Sequence, residues 1–585
     1  KAEALWQQSL NLRKKILGEQ HPDYAYSLFG VAGVYHAQHR FNEARKYYEP
    51  VVEYYLKQIK ELFPSLSEKE KGAFYARIKP IFDSYQDFCI EYSIAFADQR
   101  GDVLKKLYNS QLATKAILFN ASNKVRSRIL TSSDTSLKKL YTQWIASKEE
   151  IVRYIRSSQE ERVHFSSDLG TLEQHANDLE KKISSLSEDF RAQSENENLT
   201  WEEVQRNLQE KEAAVEILRI KKRYVKDSIY YAGLIVKKNE AAPEIVIWPL
   251  GKQLEGRRFK YHRNTIKFHF TDTLSYRYFW QPLQANLTNV LTIFLSCDGV
   301  FNKVNFNSLF SSKQKRWVID DFTIRQLSST RELLKKSQKN INSQGSASLF
   351  GNVDFNLGEP DQIMTSSTKR SAHSFGFEGE SIPALPGTEV EIKGIGSILT
   401  SNQWAVQTFD QKNATEEAVK KIKSPNIFHI ATHGFFLSDI DFNENEEAIN
   451  NPLFRSGVLL AGAAIERSVS KREEDGVLTA YEAMNLDLDK TDLVVLSACE
   501  TGLGEVRNGE GVYGLQRSFM VAGARNVLMS LWQVDDKATQ ELMNAFYSYW
   551  VEGKEKHQAF REAQLKIKEQ YPSPYFWGAF VLVGN

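Results

Sequence analysis

From about residue 226 onward, short and nearly continuous apolar runs alternate with helical stretches, and this rhythm narrows the architecture more than any other feature of the chain. IYYAGLIV and EIVIWPLG, split by KKNEAAP, read as two strands joined by a turn. VLTIFLSCDG, ASLFGNVDF, NIFHIATHG, DLVVLSACETG and NVLMSLW follow, each separated from the next by helical sequence. Strands that are apolar on both faces need cover on both faces, and strands joined through helices run parallel. The pattern therefore predicts an α/β domain with a largely parallel sheet and flanking helices. Two stretches interrupt it, 357–381 and 438–451, both polar and read as long surface loops.

The earlier part of the chain has helical spacing throughout. Ala2, Leu5, Trp6, Ser9 and Leu10 recur as Ala44, Tyr47, Tyr48, Val51 and Val52, an offset of 44 − 2 = 42 residues. Self-similarity at such a period signals stacked helical units, which bury a continuous core only when several stack together. The aromatic and small residues resemble a tetratricopeptide repeat of the longer variety, with HPDYA opening one helix and Tyr35 to Phe41 closing its turn. Lys1 stands where an initiating Met would, inside a helical pattern, so the chain reads as a fragment with further repeats upstream.

Farther on, Leu172, Ala176, Leu179, Ile183, Leu186 and Phe190 alternate spacings of four and three, a heptad seam. After a break at SENEN, Thr200 and Glu203 form a capping-box signature, and Val204, Leu208, Val215 and Leu218 extend an apolar stripe. These features predict a long helical hairpin with antiparallel arms. The expected division is helical repeats over 1–62, a helical linker with the hairpin over 63–225, and the α/β domain over 226–585.

At 585 residues the chain exceeds what one hydrophobic core supports. Lys and Arg total 75 against 74 Asp and Glu, so no global field draws it to nucleic acid, and no direct nucleic-acid partner is expected. No run of about 18 apolar residues and no signal-peptide pattern is present, so no membrane partner is expected. Cys89, Cys297 and Cys499 are too few for a disulfide framework and form no CxxC pair, which predicts a reducing, cytoplasmic setting.

In wound parallel sheets the working site lies at the carboxyl ends of the strands. The run IFHIAT stops at His433-Gly434, and LVVLSA stops at Cys499-Glu500-Thr501-Gly502. An imidazole beside a thiol has a simple logic: the thiolate attacks, and the histidine takes the thiol proton and passes it to the leaving amine. Backbone N–H groups at Gly434 and Cys499 would form an oxyanion hole, which makes acyl transfer the matching reaction. His429 sits inside its strand and reads as a packed core histidine; with Ile430 where HExxH has glutamate, it makes no zinc pair with His433. Cys89 and Cys297 read as core. The glycines at 502, 504, 509, 511 and 514 follow neither GxxxxGK nor a clean GxGxxG, so neither a metal nor a cofactor is expected.

The stretch from about Tyr230 to Asn585 resembles the CHAT domain, the caspase-like domain found with tetratricopeptide repeats and related at clan level to caspases, separase and gingipains. The resemblance is carried by LPGTEVEI at 385–392, HIATHGFF at 429–436, GVLTAYE at 476–482, DLVVLSACETGLGEV at 492–506, GEGVYGLQRSFMVAGARNVLMSLWQVDD at 509–536 and FWGAFVLVG at 576–584. It implies a cysteine endopeptidase whose catalytic dyad maps onto His433 and Cys499. It further implies a bacterial setting of stress or antiphage signalling, a protein substrate such as a gasdermin-like pore former or another bacterial effector, and a protein activator acting through the repeats. Asp535 and Asp536 precede a helix, where an aspartate is a natural cap. Arginine-specific relatives at clan level place an acid near a similar stretch, so the resemblance also makes either aspartate a candidate for the substrate pocket. The alternative is a caspase-like scaffold that binds without cutting.

Overall fold

The computed structural model describes residues 1–119, 121, 129, 134–156, 162–163, 165–186, 199–225, 228–334, 345–357, 382–436, 452–464, 474–498, 502, 505–507, 509 and 511–584. The chain opens with helices α1 (Ala2–Leu17), α2 (Pro22–Ala37) and α3 (Phe41–Leu62). Pro22 supplies the fixed φ of a first helical turn, and the His21 ring caps it by accepting from the Asp23 N–H at 3.1 Å. A Cβ at Gly30 would stand 2.4 Å from the Trp6 indole, so α1 and α2 approach this closely only with glycine there. On α3, Ala44, Tyr48, Val51 and Val52 are buried, the face that the 42-residue offset picks out. Helices α4 (Glu68–Ala95) and α5 (Arg100–Thr114) continue the layer, α4 starting at a Ser67/Glu70 capping box. Among the described residues no helix is long and apolar enough to cross a membrane.

Two expectations for the middle of the chain need correction. Helix Leu169–Leu186 does bury Leu172, Ala176, Leu179 and Ile183, but it packs against helix Thr135–Arg156, not against a helical arm beyond residue 200. Leu186 is exposed, and Phe190 lies outside the described residues. Thr200 caps a helix as expected, accepting from the Glu203 N–H, yet that helix ends at Asn207. Val215 and Leu218 then belong to the strand Glu212–Lys221. Residues 213–218 are apolar at every position except Glu216, and such a run fits a helical stripe or a strand buried on both faces equally well. The choice falls to strand because backbone partners wait on both sides, Ile229–Lys237 antiparallel and Thr292–Ser296 parallel. The sheet thus begins before residue 226.

Among the described residues, eleven strands form one sheet in the order Glu244–Trp248, Ile229–Lys237, Glu212–Lys221, Thr292–Ser296, Thr323–Leu327, Phe580–Gly584, Asn526–Ser530, Leu493–Ser497, Ile427–Ala431, Ser346–Val353 and Ala405–Gln411. Neighbours run parallel except for two antiparallel joints at the first edge and one where Phe580–Gly584 meets Asn526–Ser530. The carboxyl-terminal strand therefore joins two parallel halves. Residues of α2 to α5, among them Val31, Tyr48, Phe88 and Leu107, share a core with Ala214, Leu218, Ala232 and Phe294 of the first half. The second half is covered on one face by helices Gly387–Ser401, Asp536–Val551 and Lys556–Gln570. The stretches 357–381 and 438–451 lie outside the described residues, apart from Leu357.

Candidate active site

The strands Ile427–Ala431 and Leu493–Ser497 are parallel neighbours whose last paired residues are Ala431 and Ser497. His433 follows Ala431 by two residues, and in the sequence Cys499 follows Ser497 by the same number. Cys499 itself lies outside the described residues.

His433 is half-buried between Phe355, whose ring centre is 5.2 Å away, and the Pro383 carbonyl. Its Nε2 donates to the Pro383 oxygen at 2.8 Å. A carbonyl oxygen only accepts, so Nε2 holds the proton and the neutral ring carries its lone pair on Nδ1. Burial pushes the imidazole below its ordinary 6.5, while the Pro383 carbonyl and the Asp536 carboxylate favour the charged form. The turn bearing His433 is fixed from below, with Thr432 Oγ1 donating to the Leu459 carbonyl at 2.6 Å and the Leu459 N–H donating to the His433 carbonyl at 2.9 Å. That second bond makes Gly434 and Val458 a non-hydrogen-bonded pair, so the Gly434 N–H turns away from the partner strand toward the open edge.

Beneath the site lies a polar group whose members Glu391 and Tyr547 sequence reasoning missed. His429 is fully buried, with Nε2 3.0 Å from Glu391 Oε1 and Nδ1 3.1 Å from the Tyr547 hydroxyl. It is a hydrogen-bonded core histidine, as its place inside a strand predicts. Glu391 belongs to the LPGTEVEI block, whose last acidic residue was the available signal. The two aspartates part company here. Asp535 caps helix Asp536–Val551, its Oδ1 accepting from the Ala538 N–H at 2.9 Å. Asp536 is exposed, and its side chain packs so closely on Gly387 that a Cβ there would be 2.9 Å away. Partial burial and the charges of Asp535 and Glu391 raise the Asp536 carboxyl, and His433 opposes them.

The chain on either side of Cys499 is held by one residue of the next strand. Buried Ser530 donates its hydroxyl to the Ala498 carbonyl at 2.6 Å, and its own carbonyl accepts from the Gly502 N–H at 2.7 Å. Cys297 and Cys89 are buried, as expected, and burial pushes the Cys297 thiol up to about 12 and the Cys89 thiol well up. Neither is a nucleophile at neutral pH. One described group has metal-ligand spacing, His36, Asp87 and Glu91 in the helical region. Its atoms are already engaged: His36 with Tyr48 and Glu91, Asp87 with the Arg223 N–H and the Tyr230 hydroxyl.

Two family models match the chain, the CHAT domain over residues 273–585 and the tetratricopeptide repeat over residues 1–57. "Tetratricopeptide repeat protein 28" of Homo sapiens is 34% identical over 111 residues, which is 19% of this chain and 4% of that protein. The Mus musculus protein of the same description is 33% identical over 111 residues. The chain thus matches only a small part of these curated relatives. Among solved structures, the Arg specific cysteine proteinase gingipain R aligns over 57% of this chain and 75% of its own, with 10% identity and a TM-score of 0.31. The Saccharomyces cerevisiae separase-securin complex aligns over 100% of this chain and 52% of its own, with 11% identity and a TM-score of 0.34.

Proposed function

Because this chain belongs to the CHAT-domain family, we propose that it is a cysteine endopeptidase that cuts a protein substrate with His433 and Cys499. The observation that supports the reading is the register of the two central strands, in which Ala431 pairs with Ser497, because His433 and Cys499 each follow that pair by two positions in the sequence. The state of the His433 ring supports it. With the Nε2 proton committed to Pro383, the Nδ1 lone pair is the base that receives the Cys499 thiol proton. The thiolate attacks the scissile carbonyl, and the N–H groups of Gly434 and Cys499 receive the oxyanion. His433 then gives its proton to the departing amine, and water hydrolyses the thioester, returning the thiol.

Of the two aspartates, Asp536 is the one open to a substrate, since the Asp535 carboxylate serves the helix cap. It would pair with a Lys or Arg side chain before the scissile bond. The repeats are the docking surface for a protein activator, in a bacterial stress or antiphage pathway whose substrate is a gasdermin-like or other effector protein. The test is cleavage of a peptide library by the full chain, with and without Cys499→Ala and His433→Ala. Each substitution is expected to abolish turnover and leave the fold intact. Substantial turnover by Cys499→Ala protein overturns the dyad, and a uniform preference for Leu, Met or Asp before the cut returns Asp536 to a surface role. If no peptide is cut and no electrophilic peptide labels Cys499, the non-cutting scaffold takes the place of the protease.

A further inference from the structure

Cys499 lies in the connection between strand Leu493–Ser497 and helix Leu515–Val521, and this connection also contains a small hairpin, Glu505–Arg507 with Gly511–Tyr513. The hairpin turns at Gly509, whose φ of 77° is the left-handed region that glycine enters without steric cost. Two distant parts of the chain hold that turn. The Gly509 N–H donates to both oxygens of Asp298 at 3.2 Å, and its carbonyl accepts from the Ala116 N–H at 2.8 Å.

Both holders are themselves fixed. Asp298 follows the strand Thr292–Ser296, is 5% exposed, and also accepts from the Gly299 N–H at 2.8 Å and the Arg219 N–H at 3.3 Å. A buried carboxylate that gathers backbone N–H groups from three segments is an organiser of those segments. Ala116 comes two residues after α5 ends and has a φ of 52°, a conformation that a residue with a Cβ adopts only when its surroundings impose it. What imposes it is next door: Lys115 is buried, with its Nζ 2.7 Å from Glu216 Oε2 and within reach of the Ile217 and Ser296 carbonyls. Glu216 in turn accepts from the Thr330 N–H at 2.6 Å and the Thr330 hydroxyl at 2.7 Å. The end of the helical region is thus pinned to the sheet, and from there it reaches the turn.

We propose that Asp298 is a positioning residue for Cys499 and that, together with Ala116, it makes the setting of the cysteine's connection depend on the helical region. The proposal rests on the reading of Cys499 as the nucleophile. It gives a partner bound to the helices a physical route to the site, because displacing α5 moves the N–H that holds the Gly509 carbonyl.

The test uses the full chain and its Asp298→Ala, Asp298→Asn and Ala116→Gly variants, read by amide exchange, by iodoacetamide labelling of Cys499 and by peptide cleavage. Asp298→Ala is expected to speed exchange in 502–514 by roughly tenfold or more while strands 493–497 and 526–530 keep their protection. It is expected to change the labelling rate by about fivefold or more and to lower kcat roughly tenfold with little change in KM. Asp298→Asn keeps one acceptor oxygen and should fall between, while Ala116→Gly keeps the N–H, relieves the left-handed backbone and should slow exchange at the turn. If Asp298→Ala loses the protected strands, Asp298→Asn carries the test on the same readouts. Unchanged exchange in 502–514 overturns the proposal, and so does faster exchange with unchanged labelling and kcat. If exchange and labelling respond but no variant cleaves any peptide, the positioning role stands and the protease reading falls.

Discussion

His433 is held through its Nε2 proton, and burial is the larger influence on its charge, so its folded pKa lies below the ordinary 6.5. A group whose neutral form is favoured by the fold is most compatible with it above 6.5, and that advantage is lost as pH falls through the lowered folded value. The neutral ring therefore persists into mildly acidic solution. Titration of His433 by NMR in Cys499→Ala protein, where no thiol couples to it, should give a midpoint below 6.5. Asp536→Asn removes a carboxylate that favours the charged ring and should lower the midpoint further; a rise would contradict the placement of Asp536. Ser530→Ala leaves the Ala498 carbonyl without its 2.6 Å partner in a buried place and should cost about 1–3 kcal/mol in denaturant unfolding. The sequence alone located His433 at a strand end and a helix cap at one of Asp535 and Asp536, because both follow from local pattern. Pro383, Glu391 and Ser530 were not legible, since they lie 50, 38 and 32 positions from His433, His429 and Ala498, and only the fold brings them together.

Helix Leu169–Leu186 shows what an element-level pattern settles and what it leaves open. Its heptad seam named the buried face, but a seam does not name its partner, and the partner is helix Thr135–Arg156. This arm also meets the α/β domain, with Lys148 lying 4.1 Å from the Trp144 ring centre and 5.1 Å from that of Tyr481. Beside them Glu180 Oε1 accepts from the Glu68 N–H at 2.8 Å. Burial, reinforced by the Glu68 charge, pushes the Glu180 carboxyl up to about 7 against an ordinary 4.5. A raised acid binds its proton more tightly when folded, so its contribution is complete below 4.5 and fades as pH climbs through about 7. Glu180→Gln keeps the acceptor and cannot ionise. It should raise the melting temperature relative to wild type at pH 8 and leave it nearly unchanged at pH 5. An equal shift at both pH values would show that charge at Glu180 plays no part in docking the arm.

Helices and sheet form a single body. The expected boundary at residue 226 falls inside the sheet, because the strand Glu212–Lys221 sits between Ile229–Lys237 and Thr292–Ser296 and pairs with both. On one face of these strands Ala214, Leu218, Tyr230, Ala232 and Phe294 complete their core with residues of α2 to α5. A chain cut at 226 loses Val215, Ile217, Leu218 and Ile220, each at most 2% exposed. At about 1.5–3 kcal/mol for each fully buried side chain, the loss is about 6–12 kcal/mol. Net stabilities are about 5–15 kcal/mol, so this one strand carries a share comparable to the whole, before the helical cover and the Lys115–Glu216 pair are counted. The fragment 226–585 is therefore expected to lose native protection in strands 229–237 and 292–296 by amide exchange and to melt without a cooperative transition. Native protection in both strands would mean that the helical region is a separable domain. In the intact chain, repeats and first half-sheet should unfold in one transition, as elements sharing one core do. Within that packed body Ala116, two residues past α5, and Asp298 both hold the Gly509 turn.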